Sequence, residues 1–281
     1  VLSRLRSPWL LLLPSIVLMA ALFGWPLVQA VLEAFRGGGG FTLANWERLF
    51  DDPYVLTALR NTLLLIVIVV PVQLALAVGM ALLMQARPRF ADGHFYLWCL
   101  PLAISELAAG LVWLSIFDNR GYLNSLLVGI GLSEDGVQWL SYRNAGTMLL
   151  AVVVAEVWRA TSLVFVIVVA GVQMIPRDYD EAAQVFGADL WQRLRHVTLP
   201  LLGPSLQVAL ILRTILALQA FAVAQALTGR DFPLLVGETY EWYANLQNPA
   251  VASAVSLIVL AISLATAVFY LRAVRQPEQA R

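Results

Sequence analysis

The sequence predicts an all-α integral membrane protein. It has six transmembrane helices and a helical loop on the cytoplasmic side between spans four and five. Three observations lead there. Of 281 residues, 60% are hydrophobic and only 13% are charged, where soluble domains carry about 25% charged residues. The apolar residues fall into six runs, each meeting the roughly 20 residues a helix needs to cross the hydrocarbon core. The runs also lack the two-residue alternation of a barrel strand, and only helices or closed barrels satisfy the backbone in lipid.

The first span, 8–35, follows Arg4 and Arg6. It is longer than the roughly 7–15 apolar residues of a signal peptide and is read as a span that stays in place. Gly37 to Gly40 reads as a flexible linker. Span two, 58–85, carries Pro71, and Arg87-Pro88-Arg89 makes a turn. Span three, 95–117, has Pro101 near its start. A polar segment with turn signals follows, from Asp118 to Arg143. Span four is 145–172, span five 206–228 and span six 250–271, all within one membrane domain, 1–281.

Arginine placement orients the chain. An even span count puts both termini on one side, with Arg87, Arg89, Arg177, Arg193, Arg195, Arg272, Arg275 and Arg281 beside Arg4 and Arg6. Arg36, Arg48, Arg60, Arg120, Arg143 and Arg230 fall on the other side, together with most of the acids. The termini and the loop 173–205 are therefore expected in the cytoplasm of a plasma membrane.

That loop carries its own helical signals. Pro176 suits a helix start, and Asp178, Asp180 and Glu181 place negative charge at a helix N-terminus. Gly187 punctuates the segment. A second amphipathic piece runs from Asp189 to Thr198, with Pro200 and Pro204 expected to close it.

Other function classes find little support. Zero formal net charge suggests no nucleic-acid partner. Cys99 stands alone, so no disulfide framework exists. His94 and His196 form no ligand cluster, so no metal site is expected. No nucleophile–base spacing assigns a catalytic residue, and no Gly-rich Lys-Ser/Thr phosphate loop is present.

Glu181-Ala182-Ala183, then Gly187, then Val197, Leu199 and Pro200, resembles the EAA loop of binding-protein-dependent ABC importer permeases. Asn45-Trp46, Asn61-Thr62, Gly121-Tyr122-Leu123-Asn124, Trp139-Leu140, Glu156-Val157-Trp158-Arg159, Ala170 to Pro176 and Leu227-Thr228-Gly229 extend the resemblance to the carbohydrate-uptake branch, first-permease type. Phe186 stands where Asp usually precedes the Gly, and Arg230-Asp231 replaces a Gly-rich continuation.

The resemblance implies a non-catalytic subunit of a sugar importer in a bacterial or archaeal inner membrane. It implies a second permease, two ATPase subunits that bind ATP and Mg, and an extracytoplasmic solute-binding protein. It also implies that Glu181, Ala182, Ala183, Gly187, Leu199 and Pro200 couple to the ATPase, with Glu181 pairing a cationic group there. The expected substrate is a di- or oligosaccharide such as trehalose or maltose, with glycerol phosphate or another polar solute as the alternative. A stand-alone secondary transporter would show internal repeats, and none is evident. A membrane-embedded enzyme lacks its catalytic cluster.

Ionisable groups inside spans are functional candidates. Glu106, Glu156, Trp158, Arg159, Arg213 and Gln219 form the candidate substrate path. Glu156 and Arg159 share a helix face and either line the path or pair structurally. Arg213 either faces the pore or snorkels to the interface. Gln219 bonds either a sugar hydroxyl or a neighbouring helix, and Trp158 either stacks on a sugar or packs.

Overall fold

The computed structural model describes residues 8–86 and 88–273. Arg4, Arg6, Arg87, Arg275 and Arg281 of the orientation argument lie outside them. The first span is α1 (Pro8–Met19), a π-helical turn and α2 (Trp25–Ala34). A two-stranded hairpin, β1 (Arg36–Gly37) and β2 (Gly40–Phe41), leads to α3 (Ala44–Asp51). The second span is α4 (Pro53–Gln85), which runs unbroken through Pro71. Then come α5 (Ala91–Cys99), α6 (Glu106–Phe117) and α7 (Tyr122–Gly129). Next is α8 (Ala145–Gln173), followed by the short helices α9 (Arg177–Val185), α10 (Leu190–Arg193) and α11 (Leu199–Leu201). The chain closes with α12 (Gly203–Leu218), α13 (Ala222–Thr228), α14 (Leu235–Tyr240) and α15 (Pro249–Ala273).

Four helical stretches are long and apolar enough to cross a membrane, and two bent pairs raise the count to six. The bends refine the sequence reading. The third span turns by 102° between Ala91–Ala103 and Glu106–Gly129. Pro101 sits in a 3₁₀ turn there, and Ser105 caps a new helix by accepting the N–H of Ala108 at 3.2 Å. The fifth span is also broken, since α12 ends at Leu218 and α13 begins at Ala222. Pro200 and Pro204 do not end the preceding helix. Each lies in the first turn of the next helix, where its missing N–H is harmless. Nor is the glycine run a free linker: Gly38 and Gly39 take positive φ in the hairpin turn. Asn45 donates to the carbonyls of Ala34 and Arg36 and pins it.

The core is built on α4 and α8. In the most apolar stretch of α8, 56% of residues are buried, against none in that of the first span, where Ala34 at the end of α2 is buried. Ala77, Val164, Phe165, Val168, Leu202 and Ala209 fill the loop-side end. Leu65, Val69, Ala109, Met148, Val152 and Val223 fill the middle. Ala34, Leu49, Val55, Leu235 and Val255 fill the opposite end.

Small residues let the broken spans approach. A Cβ on Gly110 would lie 2.7 Å from Ala226 Cβ and 3.1 Å from Val223 Cα. Gly110→Val should lower stability by about 1–3 kcal/mol through this overpacking. A melting temperature equal to that of the wild type would refute the close α6–α13 contact.

Several residues behind the family resemblance prove to be loop staples. The Asn124 amide donates to the Val137 carbonyl at 2.8 Å. Its Oδ1 accepts the Val137 N–H at 2.9 Å and the Trp139 indole N–H at 3.0 Å. Asn61 donates to the Pro233 carbonyl, and Thr62 Oγ accepts the Leu235 N–H. Arg230 pairs with Glu238 at 2.9 Å and Glu241 at 3.4 Å, and lies 4.2 Å from the Tyr54 ring centroid. The hydrogen bond to Glu238, followed by the attraction of Glu238, Glu241 and Asp52, raises its pKa above the usual arginine value. Arg230 thus anchors the loop after Gly229.

Candidate functional site

Two sites stand out, one outside the spans and one inside them. The first is the loop between α8 and α12. Pro176 adopts φ −59° and ψ 137° just before α9, and Asp178 and Asp180 occupy the first turn. The helix ends in a Schellman arrangement. Gly187 N–H bonds to Gln184 O and Ala188 N–H to Ala183 O, with Gly187 at φ +81°. That conformation is the physical reason for glycine at this place.

Asp189 then starts α10 with a reciprocal capping box to Gln192. Asp180 accepts from Arg193 at 2.8 Å and from Gln184 at 2.8 Å, clamping the two short helices together. Leu199 and Pro200 lie in the run that bends by 70° into α12. Glu181 to Gly187 and Leu199-Pro200 therefore occupy the tip and the root of one segment.

Glu181 and Ala182 are exposed and Ala183 is half-buried. Glu181 lines a cavity of about 820 Å³ between this segment and the end of α4, where Leu82 and Gln85 form the far wall. It makes no hydrogen bond among the described residues, so its carboxylate is free to meet a cation. Sequence reasoning missed the larger feature. Val185 (85% exposed), Phe186 (89%), Leu190 (77%) and Trp191 (63%) present apolar surface around Gly187, outside the spans. A patch of this kind marks a protein contact. The signal was apolar residues flanking Gly187 in an otherwise polar stretch.

The second site is a polar cluster where α4, α6, α8 and α12 meet. Glu156 and Arg213 are fully buried, and Arg213 Nη2 donates to Glu156 Oε2 at 2.9 Å. Arg213 Nε donates to Gln73 Oε1, and Gln73 Nε2 donates to the Glu156 carbonyl at 2.8 Å. The result is a closed triangle between three helices. Arg213 does not snorkel: the triangle holds its guanidinium in the core. Gln73 was also missed in the sequence, where its only signal was an amide in the middle of an apolar run.

Arg159 extends the cluster. Its Nη2 donates to Glu156 Oε1 and Oε2 at 3.1 and 3.2 Å and lies 3.9 Å from Glu106 Oε1. Glu106 Oε1 also accepts the Phe221 N–H at 3.2 Å, in the break between α12 and α13. Glu106, Arg159, Arg213 and Gln219 line a cavity of about 200 Å³ with Ile104 and Leu216. Trp158 is elsewhere. It meets Trp113 edge-on at 5.9 Å and packs on the central apolar core. The arrangement can hydrogen-bond a polar solute. Its two carboxylates and two guanidiniums cancel.

Residues 8–276 match the profile of the family described as "Binding-protein-dependent transport system inner membrane component". A "probable ABC transporter permease protein" of Brucella suis biovar 1 is 31% identical over 289 residues, covering 97% of this chain and 98% of that protein. The sulfoquinovosyl glycerol transport system permease protein of Agrobacterium fabrum is 31% identical, covering 95% and 89%. The sn-glycerol-3-phosphate transport system permease protein of Brucella abortus biovar 1 is 32% identical, covering 96% and 94%. Among solved structures, a chain of a bacterial ABC transporter involved in the import of the acidic polysaccharide alginate superposes with TM-score 0.82 at 20% identity, covering 96% of each chain.

Proposed function

Because the chain belongs to the family of binding-protein-dependent transport system inner membrane components, we propose that it is the first-type permease of an ATP-driven importer of an uncharged di- or oligosaccharide. In this reading a second permease completes the path. Two ATPase subunits, which bind ATP and Mg, dock on the loop 173–205, and an extracytoplasmic binding protein delivers the solute. The termini and the loop face the cytoplasm. The chain itself hydrolyses nothing and supplies path and coupling surface. Closure of the ATPase pair moves α9 and α10 as one lever, because the Asp180–Arg193 pair prevents them from shearing.

One observation supports an uncharged solute. Every ionised group around the small cavity already has a counter-charge within the chain: Arg213 with Glu156, and Arg159 with Glu156 and Glu106. An anionic solute needs an uncompensated cation to repay its desolvation, and this cavity offers hydrogen bonds instead. A second reading, transport of glycerol phosphate, is favoured by the 32% identical relative named for that solute.

The test is ligand screening of the cognate binding protein, followed by uptake into proteoliposomes containing the full complex. Binding and uptake of a neutral sugar such as trehalose or maltose is expected. Uptake confined to sn-glycerol 3-phosphate would replace the first reading with the second. At the coupling loop, Glu181→Lys should reduce ATPase recovery on purification by roughly tenfold, equivalent to about 1.4 kcal/mol, while leaving membrane insertion intact. Unchanged recovery would remove Glu181 from the contact.

A further inference from the structure

We infer that Arg159 is a shared cation that passes between Glu156 and Glu106 during transport. Glu106 is thereby the positioning residue that ties the break in the fifth span to the fourth span. The inference rests on membership of the transporter family and not on the class of solute.

The break creates the need. Phe221 leaves helical geometry at φ −145° and ψ −62°, and α13 restarts with no side-chain cap of its own. The first N–H groups of a helix have no intrahelical partners, and lipid supplies none. Glu106, on α6, fills one of these positions by accepting the Phe221 N–H. Whatever moves Glu106 therefore moves the joint between α12 and α13.

Arg159 is the group placed to do so. It stands 3.1 Å from one carboxylate and 3.9 Å from the other. Glu156 does not depend on it, since Arg213 neutralises Glu156 at 2.9 Å. Arg159 can move to Glu106 and leave neither carboxylate uncompensated, which avoids the heavy cost of a buried lone charge. Its Nε has no hydrogen-bond partner among the described residues, so the head group is held at one edge only. The 200 Å³ cavity beside Glu106, Arg159 and Gln219 provides room for the swing. Among the described residues Arg213 also has an unpartnered nitrogen, Nη1. Glu156 and Gln73 nevertheless hold it at two separate nitrogens and the triangle is buried, so Arg159 is the more weakly held cation.

The experiment uses the whole complex, with Cys99→Ser as background and Gln225→Cys as a reporter on the exposed side of α13. Thiol labelling rates are compared without nucleotide and with ATP plus EDTA. The parent complex should show about a threefold or larger change in rate on a shift between conformations. Glu106→Gln keeps the cap on Phe221 but loses the charge. Arg159→Met removes the shared cation and leaves both carboxylates. Each should reduce the nucleotide-dependent change to less than about 1.5-fold while the complex still assembles. A parent-like change in either variant overturns the inference, because a role confined to capping would survive Glu106→Gln. Failure of both variants to assemble also overturns it, because the fold is assigned to the buried triangle. The readout needs no transported solute, so an error about the sugar leaves the test intact.

Discussion

Glu156→Leu is expected to destabilise the permease by about 3–5 kcal/mol, the usual cost of removing one partner from a buried ion pair. Glu156 is the hub of the internal cluster. It accepts from Arg213 at 2.9 Å and from Arg159 at 3.1 and 3.2 Å, and its backbone carbonyl accepts from Gln73. The substitution would leave the Arg213 guanidinium, 1% exposed, with only Gln73 beside it. Arg159 still has Glu106 within reach. The double variant Glu156→Leu with Arg213→Leu should therefore regain at least about half of the loss, since an apolar pair of similar volume replaces the charges. Melting of the purified complex in detergent checks both variants. A single variant within about 0.5 kcal/mol of the parent, the range of an ordinary surface change, would show that the triangle does not hold α4, α8 and α12 together.

Phe186→Asp is expected to reduce ATPase association by about 30-fold or more, corresponding to the roughly 2 kcal/mol of an aromatic hot spot. Phe186 is 89% exposed and lies outside the spans, one residue before the turn at Gly187. Little of it is covered by the described residues, and the Schellman turn that follows it is held by backbone hydrogen bonds. Loss of binding can then be read as loss of contact. The ratio of ATPase to permease after affinity purification measures the effect, with membrane insertion as the control. Trp191→Ala should act in the same direction. An unchanged ratio in both variants would place the ATPase on another surface.

Most of the local structure was legible because lipid imposes strict rules. Long apolar runs had to be helices. The glycine at 187 and the acids at 178 and 180 mark the ends of α9 in the sequence and occupy those ends in the structure. The bends were less legible. Pro101 and Ser105 hinted at the 102° turn of the third span. The break at Gln219 to Phe221 has no proline or glycine to announce it. It is satisfied from outside, by a carboxylate 115 residues away.

The sequence by itself determined the class, the family and the helical loop between spans four and five. Composition, hydrophobic run length and motif spacing are local properties that survive without a fold. Only the tertiary structure decided what the charged groups inside the membrane do. Arg213 read as pore-facing or snorkelling; it is buried, lines the small cavity, and is held by Gln73 and Glu156 from two other helices. Gln73 itself gave no signal beyond being polar. The reason is physical. A buried charge takes its meaning from its partners, and those partners lie 57 and 140 residues away in the chain.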